Sequence, residues 1–205
     1  MAQKIDAGHL RERVQIFRPG KLPDGSVGWR EVRKAWAQQE TGSGRTIFST
    51  VGLGARTELF TLRRQELSQG DLIAWQGGAH YVTAVQRLEP EYIKATTGAV
   101  QVDRITVERW KTGKGPNNRP IRQMELTLEA QAAITEKYLG YERDSTHAET
   151  AVTYVLVTPK ELELKAGDLV KVSSGALAGE IYNVTALHVL DPVKNEYEMT
   201  LRKDV

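Results

Sequence analysis

The chain has 205 residues, of which 40% are hydrophobic and 26% are charged, so it can bury one large core or two cores of about 100 residues each. It contains no cysteine, which excludes a disulfide framework, a thiolate metal site and a cysteine nucleophile. No stretch approaches the roughly 18 apolar residues of a membrane span, and the first residues form no signal-peptide run, so we expect a soluble, unexported protein without a membrane partner.

The formal net charge of +2 is unevenly distributed along the chain. Residues 1–118 carry 18 Lys and Arg against 12 Asp and Glu, whereas residues 119–205 carry 10 against 14. This asymmetry predicts that the two parts of the chain face different partners. It is too small to predict tight DNA binding, which normally needs a concentrated basic face.

Alternating polar and apolar residues predict β-strands throughout the first half of the chain. The pair Asp24-Gly25 indicates a turn between the first two strands. A hairpin of β-branched and aromatic residues closes this half. The predicted strands are residues 13–18, 29–37, 57–62, 72–75 and 80–85.

Residues 38–56 are predicted to form a long loop between two of these strands. A compact domain rarely keeps so long a connection unless it is functional or disordered, and the alternative is an ordinary mobile loop. Its apolar residues would be unfavourable on a monomer but suit a surface that assembly buries. We therefore expect the loop to extend from its own domain and to contact other subunits or a neighbouring ring. The candidate contact residues are Gly42, Gly44, Arg45, Ile47, Phe48, Val51, Leu53 and Arg56.

The second half of the chain repeats the hairpin of the first. Residues 66–73 correspond to residues 163–170 at an offset of 97, and residues 81–90 correspond to residues 183–192 at an offset of 102. The additional residues of the second copy fall within residues 173–179, where a hairpin turn tolerates insertion. A further strand follows each copy, at residues 104–108 and 198–202. The repeat predicts an internal duplication.

A polar Gly/Pro/Asn segment, residues 111–120, is predicted to link two domains. Further strands are predicted at residues 124–128 and 152–157, whereas residues 128–139 have a helical composition whose first part can instead extend a strand. We predict an all-β fold of two small β-barrel or β-sandwich domains related by internal duplication, with at most one or two short helices. The domains, residues 1–110 and 121–205, are expected to fold separately.

Residues 8–110 contain an ordered series of features. The series begins with a segment at residues 8–19, the turn at Asp24-Gly25 and the pair Trp29 and Trp36. It continues with the glycines of Gly42-Ser43-Gly44-Arg45, the run 57–64 and the closing hairpin. In this order and spacing they resemble the head–tail joining, or head-closure, family of tailed phages. Members of that family typically have one such domain, so residues 119–205 depart from the pattern. The second copy lacks a Trp29/Trp36 strand and has residues 138–145 in place of the long loop.

The resemblance implies a structural protein of the virion neck, assembled in the host cytoplasm, that closes the DNA-filled head and provides the tail attachment interface. Copies would form a cyclic ring of twelve, or alternatively six, subunits between the portal or adaptor and the tail proteins. Double-stranded DNA would pass through the channel without sequence specificity. An adaptor or tail-terminator role in the same connector remains an alternative.

Arginines of the first half could face DNA in such a channel. They could equally well form salt bridges between subunits. A DNA channel needs only a modest positive electrostatic potential, because strong phosphate binding would hinder the exit of the genome. The candidates are Arg11, Arg13, Arg18, Arg45, Arg56, Arg63 and Arg64.

Residues of catalytic type do not cluster in the sequence. His9, His80, His147 and His188 lack the spacing that would place two of them on one metal ion. The segment 42–45 lacks the spacing of a phosphate-binding loop, and the carboxylates are dispersed through alternating strands. We expect no enzymatic activity, no metal site and no cofactor.

A different class of function is suggested by residues 167–181, which resemble the KOW motif of SH3-like, nucleic-acid-binding modules. In that motif a glycine-containing hairpin tip presents side chains to RNA. The tip in this chain carries no Arg or aromatic residue for such a contact, so a shared small-barrel ancestry is favoured over RNA binding.

Overall fold

A computed structural model of the protein describes residues 7–115, 117, 119–137 and 152–202. These residues contain a short 3-10 segment, Ala7–His9, and no α-helix, and no helix among them could span a membrane. The predicted features at residues 138–145 and His147 lie outside the described residues. The strands are β1 (Glu12–Lys21), β2 (Val27–Thr46), β3 (Ala55–Arg63), β4 (Leu72–Trp75), β5 (Gly78–Glu89), β6 (Tyr92–Val100), β7 (Val102–Lys114), β8 (Pro120–Glu136), β9 (Thr153–Pro159), β10 (Leu169–Val172), β11 (Ile181–His188) and β12 (Lys194–Leu201).

The first six strands form a closed antiparallel barrel. They pair in the order β1-β4-β5-β6-β3-β2, and β2 pairs back with β1. In β1 the buried Val14 and Ile16 alternate with the exposed Arg13, as expected for a strand with one face on a core. Phe60 and Ile73 from other strands of the ring join them in the same core.

The last six strands pair in the same cyclic order, β7-β10-β11-β12-β9-β8, with β8 pairing back to β7. Their core contains the fully buried Leu156, Val170 and Tyr197. The prediction of an all-β fold is therefore confirmed. The barrels join within one twelve-stranded sheet through the parallel pair of Val27 with Ala130, and an isolated bridge pairs Gly52 with Lys137.

Both copies of the repeat form the same turn. Gly70 and Gly167 have φ values of +92° and +91°, a region that favours glycine. The amide of Gly70 donates to the Val82 carbonyl at 3.0 Å, and that of Gly167 donates to Val184 at 2.8 Å. The two hairpins therefore match at the level of single hydrogen bonds. Internal duplication as the origin of this match stays a prediction.

The aspartates that follow these glycines differ in their cationic partners. Asp168 forms a two-pronged ion pair with Arg109 at 2.8 and 2.7 Å, whereas the Nε of Arg18 lies 3.7 Å from Asp71. Each carboxylate also accepts one backbone N–H, from Lys165 or Ser68. The pKa of Asp71 is raised, because burial outweighs the Ser68 hydrogen bond and the Arg18 charge.

We expect Asp168→Ala to lower the free energy of unfolding by about 3 kcal/mol, because it removes a buried, hydrogen-bonded charge and leaves Arg109 unpaired. Asp71→Ala should cost only about 1–2 kcal/mol, because its ion pair is longer and its charge is poorly solvated. Urea denaturation of both variants measures the difference. Equal losses at the two positions would contradict this account.

Most described residues of the predicted linker, residues 111–120, belong to strands of the second barrel. Residues 111–114 continue β7, Pro120 begins β8, and the two strands pair up to Lys114 with Pro120. Gly115 and Asn117 lie at the end of this hairpin, where the Gly115 amide donates to the Arg119 carbonyl at 2.7 Å, and a hairpin end needs the same residue types as a linker. In addition, residues 104–108 pair with β8 and β10 of the second barrel. By strand pairing, the barrels are therefore divided at Gln101.

The β7–β8 hairpin extends past the strands that flank it. β10 pairs with β7 only at residues 105–108, and β9 pairs with β8 only at residues 133–136. Residues 109–126, which we call the arm, are therefore paired only with each other in the described chain. At about 3.4 Å per residue the arm extends about 20 Å from its root.

Candidate interaction surfaces

The predicted long loop at residues 38–56 is mostly strand. β2 continues to Thr46 and β3 begins at Ala55, and the two pair through an irregularity between Thr41 and Arg45. A Cβ atom on Gly42 would lie 2.5 Å from the Thr57 side chain, so this position requires glycine. The connection between the strands therefore contains only residues 47–54, and the prediction of an extended loop is wrong.

Residues 47–54 pack against the second barrel of the same chain. Phe48 is 4% exposed and shares a cluster with Tyr81, Val155 and Val157. Its ring centroid lies 6.1 Å from that of Tyr81. The prediction that another subunit covers Phe48 is therefore wrong, because the second barrel supplies an apolar surface that the sequence did not reveal.

The other predicted loop residues are distributed around this turn. Val51 packs against the same cluster, and the amide of Leu53 donates to the Glu136 carbonyl at 2.9 Å. Ile47 is 72% exposed, so it remains available to a partner. Arg56 pairs with Glu58 at 3.2 Å, and the exposed Gly44 and Arg45 line an open cavity beside the turn.

A buried ion pair holds this turn in place. Glu196 and Lys194 on β12 are 1% and 5% exposed and contact each other. The Glu196 carboxylate accepts hydrogen bonds from the Thr50 amide at 2.9 Å, the Thr50 hydroxyl at 2.8 Å and the Ser49 hydroxyl at 3.2 Å. The Lys194 ammonium donates to the Phe48 carbonyl. We call Ser49, Thr50, Lys194 and Glu196 the junction clamp.

The electrostatics of the clamp favour the charged form of its carboxylate. Burial alone would raise the pKa of Glu196, but hydrogen bonds from Lys194 and Thr50, together with the Lys194 charge, hold this pKa below its usual value. Every charge in the clamp has a partner, so the arrangement is suited to joining the barrels. Sequence reasoning missed it, because a charged pair on a strand ordinarily indicates a solvent-exposed face.

The predicted basic residues separate into distinct groups. Arg11, Arg63 and Arg64 line one open groove of about 700 Å³, which we call the basic groove. Arg13 lines an adjacent cavity of about 510 Å³. Arg18 lies apart from them and pairs with Glu66 at 3.4 Å. Three further residues of the basic groove were not among the sequence candidates, Arg33, Lys34 and Trp36.

The arm carries exposed apolar residues. Trp110 and Ile121 are each 37% exposed, and Met124 is 50% exposed. The Arg122 guanidinium lies 5.8 Å from the centre of the Trp110 ring, within the range of a cation–π contact. A two-stranded hairpin is only marginally stable in water unless something packs against it. The arm is therefore a candidate surface for a partner.

His80 is buried beside two aromatic rings of the first barrel. Its ring centre lies 5.3 Å from that of Phe60 and 5.9 Å from that of Trp75. Among the described residues its Nδ1 finds no hydrogen-bond partner. Burial lowers the pKa of His80 below the usual 6.5, and the Glu58 charge offsets this only in part.

The lowered pKa of His80 predicts a loss of stability in mild acid. The unfolded chain binds a proton near pH 6.5 while the folded chain resists it, so stability is full above pH 6.5 and falls as the pH drops towards the lowered pKa. His80→Phe should flatten the dependence of the melting temperature on pH between 7.5 and about 5.5. Replacing the exposed His9 by Phe should not. A wild-type pH dependence in His80→Phe would contradict the assignment.

No protein-family model and none of the curated proteins matches the chain. Among solved structures, a protein from Shigella flexneri 2a, determined in solution, is similar at a TM-score of 0.38 and 20% sequence identity. The similarity covers 52% of this chain and 96% of that chain.

Proposed function

We propose that this protein is a non-enzymatic structural component of a tailed-phage connector. Copies would form a ring in the virion neck that closes the DNA-filled head and provides the tail attachment interface. The resemblance of residues 8–110 to head-closure proteins supports this role. The observation that carries the proposal is the arm, which extends from the second barrel with Trp110, Ile121 and Met124 exposed.

The arm has two properties that a partner would stabilise. Its apolar side chains lose contact with water when a second surface covers them, and each fully buried side chain of this size contributes about 1.5–3 kcal/mol. Its outer strand edges carry backbone groups without strand partners among the described residues, and such edges readily pair with another chain. Assembly would cover the apolar side chains and give the strand edges hydrogen-bonding partners.

A ring is the assembly that suits this geometry. An arm that leaves its own barrel reaches a different part of the next copy, which makes the contact head-to-tail. Such contacts close into a ring when the rotation between subunits divides the circle. The junction clamp and the Phe48 cluster fix the two barrels against each other, so every copy would present its arm at the same angle.

Arm truncation tests the assembly role. Residues 111–123 are replaced by Asn-Gly, which joins the register partners Trp110 and Met124 by a two-residue hairpin turn. Native mass spectrometry should show the full chain as closed oligomers of one order, with twelve or six subunits. The truncated protein should be a folded monomer, because both barrels keep their strands.

Point variants separate the chemistry of the arm from its length. Ile121→Asp with Met124→Asp should also give monomers, because charges replace the apolar contact. Val32→Asp is the control, since Val32 is 37% exposed like Ile121 but lies on the first barrel. Rings that persist in both arm variants would show that the arm does not assemble the protein.

A further inference from the structure

The basic groove on the first barrel concentrates positive charge. Its charged lining residues are Arg11, Arg33, Lys34, Arg63 and Arg64, and the described residues of its lining include no Asp or Glu. The whole chain has a net charge of only +2. The groove is therefore a local feature and not a consequence of a basic composition.

Most of these cations have no counter-ion in the part of the chain that the structure describes. Lys34 lies 3.9 Å from Glu31, and the Nε of Arg11 donates to the Gly8 carbonyl at 2.9 Å. Within the described part of the chain, no carboxylate pairs with the remaining three, Arg33, Arg63 and Arg64. Like charges held together without counter-ions repel each other, and an anionic ligand relieves that repulsion. The groove thus favours a ligand with several negative charges.

Trp36 adds an aromatic surface to this charge. Its side chain is 58% exposed, which is unusual for a residue of this size. Its register partner across the β1–β2 ribbon is Arg13, and Lys34 lies two residues before it. Residues in these positions share one face of a strand pair, so Trp36, Arg13 and Lys34 lie on the same face of the ribbon.

The charge continues beyond the groove along the same ribbon. The adjacent cavity of about 510 Å³ shares Lys34 with the basic groove and adds Arg13. No Asp or Glu is among the described residues of its lining either. Together the two cavities form a basic track whose lining includes Trp36 and the cations of both cavities.

We propose that this track binds single-stranded nucleic acid, with phosphates on the Arg and Lys side chains and one base stacked on Trp36. Arg and Lys neutralise a phosphate backbone, and an exposed aromatic ring in a basic groove accepts a base of any sequence. In a duplex the faces of the bases are stacked on each other, so Trp36 could not use them. The inference is independent of the connector proposal, because it concerns the isolated chain.

Binding to labelled oligonucleotides tests the inference. Fluorescence anisotropy of the full chain is measured with a 12-residue oligo(dT), an oligo(U) of equal length and a duplex of equal length, over a series of salt concentrations. At least one single strand should bind more tightly than the duplex. Trp36→Ala should weaken single-strand binding at least about fivefold, with little effect on the duplex.

Two matched controls distinguish stacking and phosphate contacts from general charge. Leu190→Ala removes an apolar side chain that is 99% exposed and lies outside both the groove and the arm, and it should leave binding unchanged. Arg63→Ala with Arg64→Ala should reduce the slope of log affinity against log salt by about 0.7 for each lost phosphate contact. Arg87→Ala with Lys165→Ala removes two exposed charges elsewhere and should change the slope little. Equal affinity for the duplex, wild-type binding by Trp36→Ala, or no binding to either single strand would overturn the inference.

Discussion

Replacing Lys194 with methionine is expected to lower the free energy of unfolding by about 3–5 kcal/mol, because the change leaves the buried Glu196 carboxylate without its cation. Methionine preserves most of the apolar length of the lysine side chain, so lost packing contributes little. Thr50 and Ser49 still donate hydrogen bonds to Glu196, so the chain should fold. Urea denaturation at pH 7, followed by tryptophan fluorescence, measures the loss.

Two further variants show whether the effect belongs to the junction clamp. Lys171→Met replaces an exposed lysine on β10 and should change stability by no more than about 0.5 kcal/mol. Lys194→Met with Glu196→Gln removes both charges, and Gln can still accept the Thr50 amide, so part of the stability should return. A loss below about 1 kcal/mol in Lys194→Met would mean that the clamp does not stabilise the fold.

Replacing Phe48 with alanine is expected to cost about 3–5 kcal/mol, the usual range for a buried aromatic side chain. Phe48 lies in a cluster that contains Leu72 and Tyr81 of the first barrel and Val155 of the second. Its loss should therefore weaken the coupling between the barrels. Calorimetry should show one unfolding transition for the wild type and two for Phe48→Ala.

Ile47→Ala is the control for this experiment, because the neighbouring Ile47 is 72% exposed and its truncation should change stability by less than about 0.5 kcal/mol. Calorimetry of the wild-type protein also tests the prediction that residues 1–110 and 121–205 fold separately. The cluster that the barrels share favours a single cooperative unit. Two transitions in the wild-type protein would contradict this expectation.

Strands and hairpins were predictable from the sequence because they depend on local pattern. Val14 and Ile16 alternate with polar residues, and Gly70-Asp71 has the chemistry of a tight turn, so both are visible without tertiary information. The same local chemistry misled the prediction at residues 111–120. Gly, Pro and Asn serve a hairpin end as well as a linker, and only the pairing of β7 with β8 distinguishes them.

Features that depend on distant contacts were not predictable in this way. Residues 39–46 contain glycines and polar residues, a composition that does not predict a strand. They belong to a strand because this segment pairs with β3. Phe48 was predicted to need a cover from another subunit, and the cover is the second barrel. Lys194 and Glu196 have the sequence signature of a solvated strand face. Their burial follows from the position of residues 47–54, which no local pattern encodes.

Cross-linking mass spectrometry of tailed-phage particles purified from cells that carry the gene for this chain tests its proposed place in the connector most directly. We expect each particle to contain as many copies of the protein as its ring has subunits. Arm residues of one copy should cross-link to a neighbouring copy, and other residues should cross-link to portal or adaptor proteins on one side and tail proteins on the other. Absence of the protein from purified particles, or its presence without cross-links to the neck, would contradict the proposal.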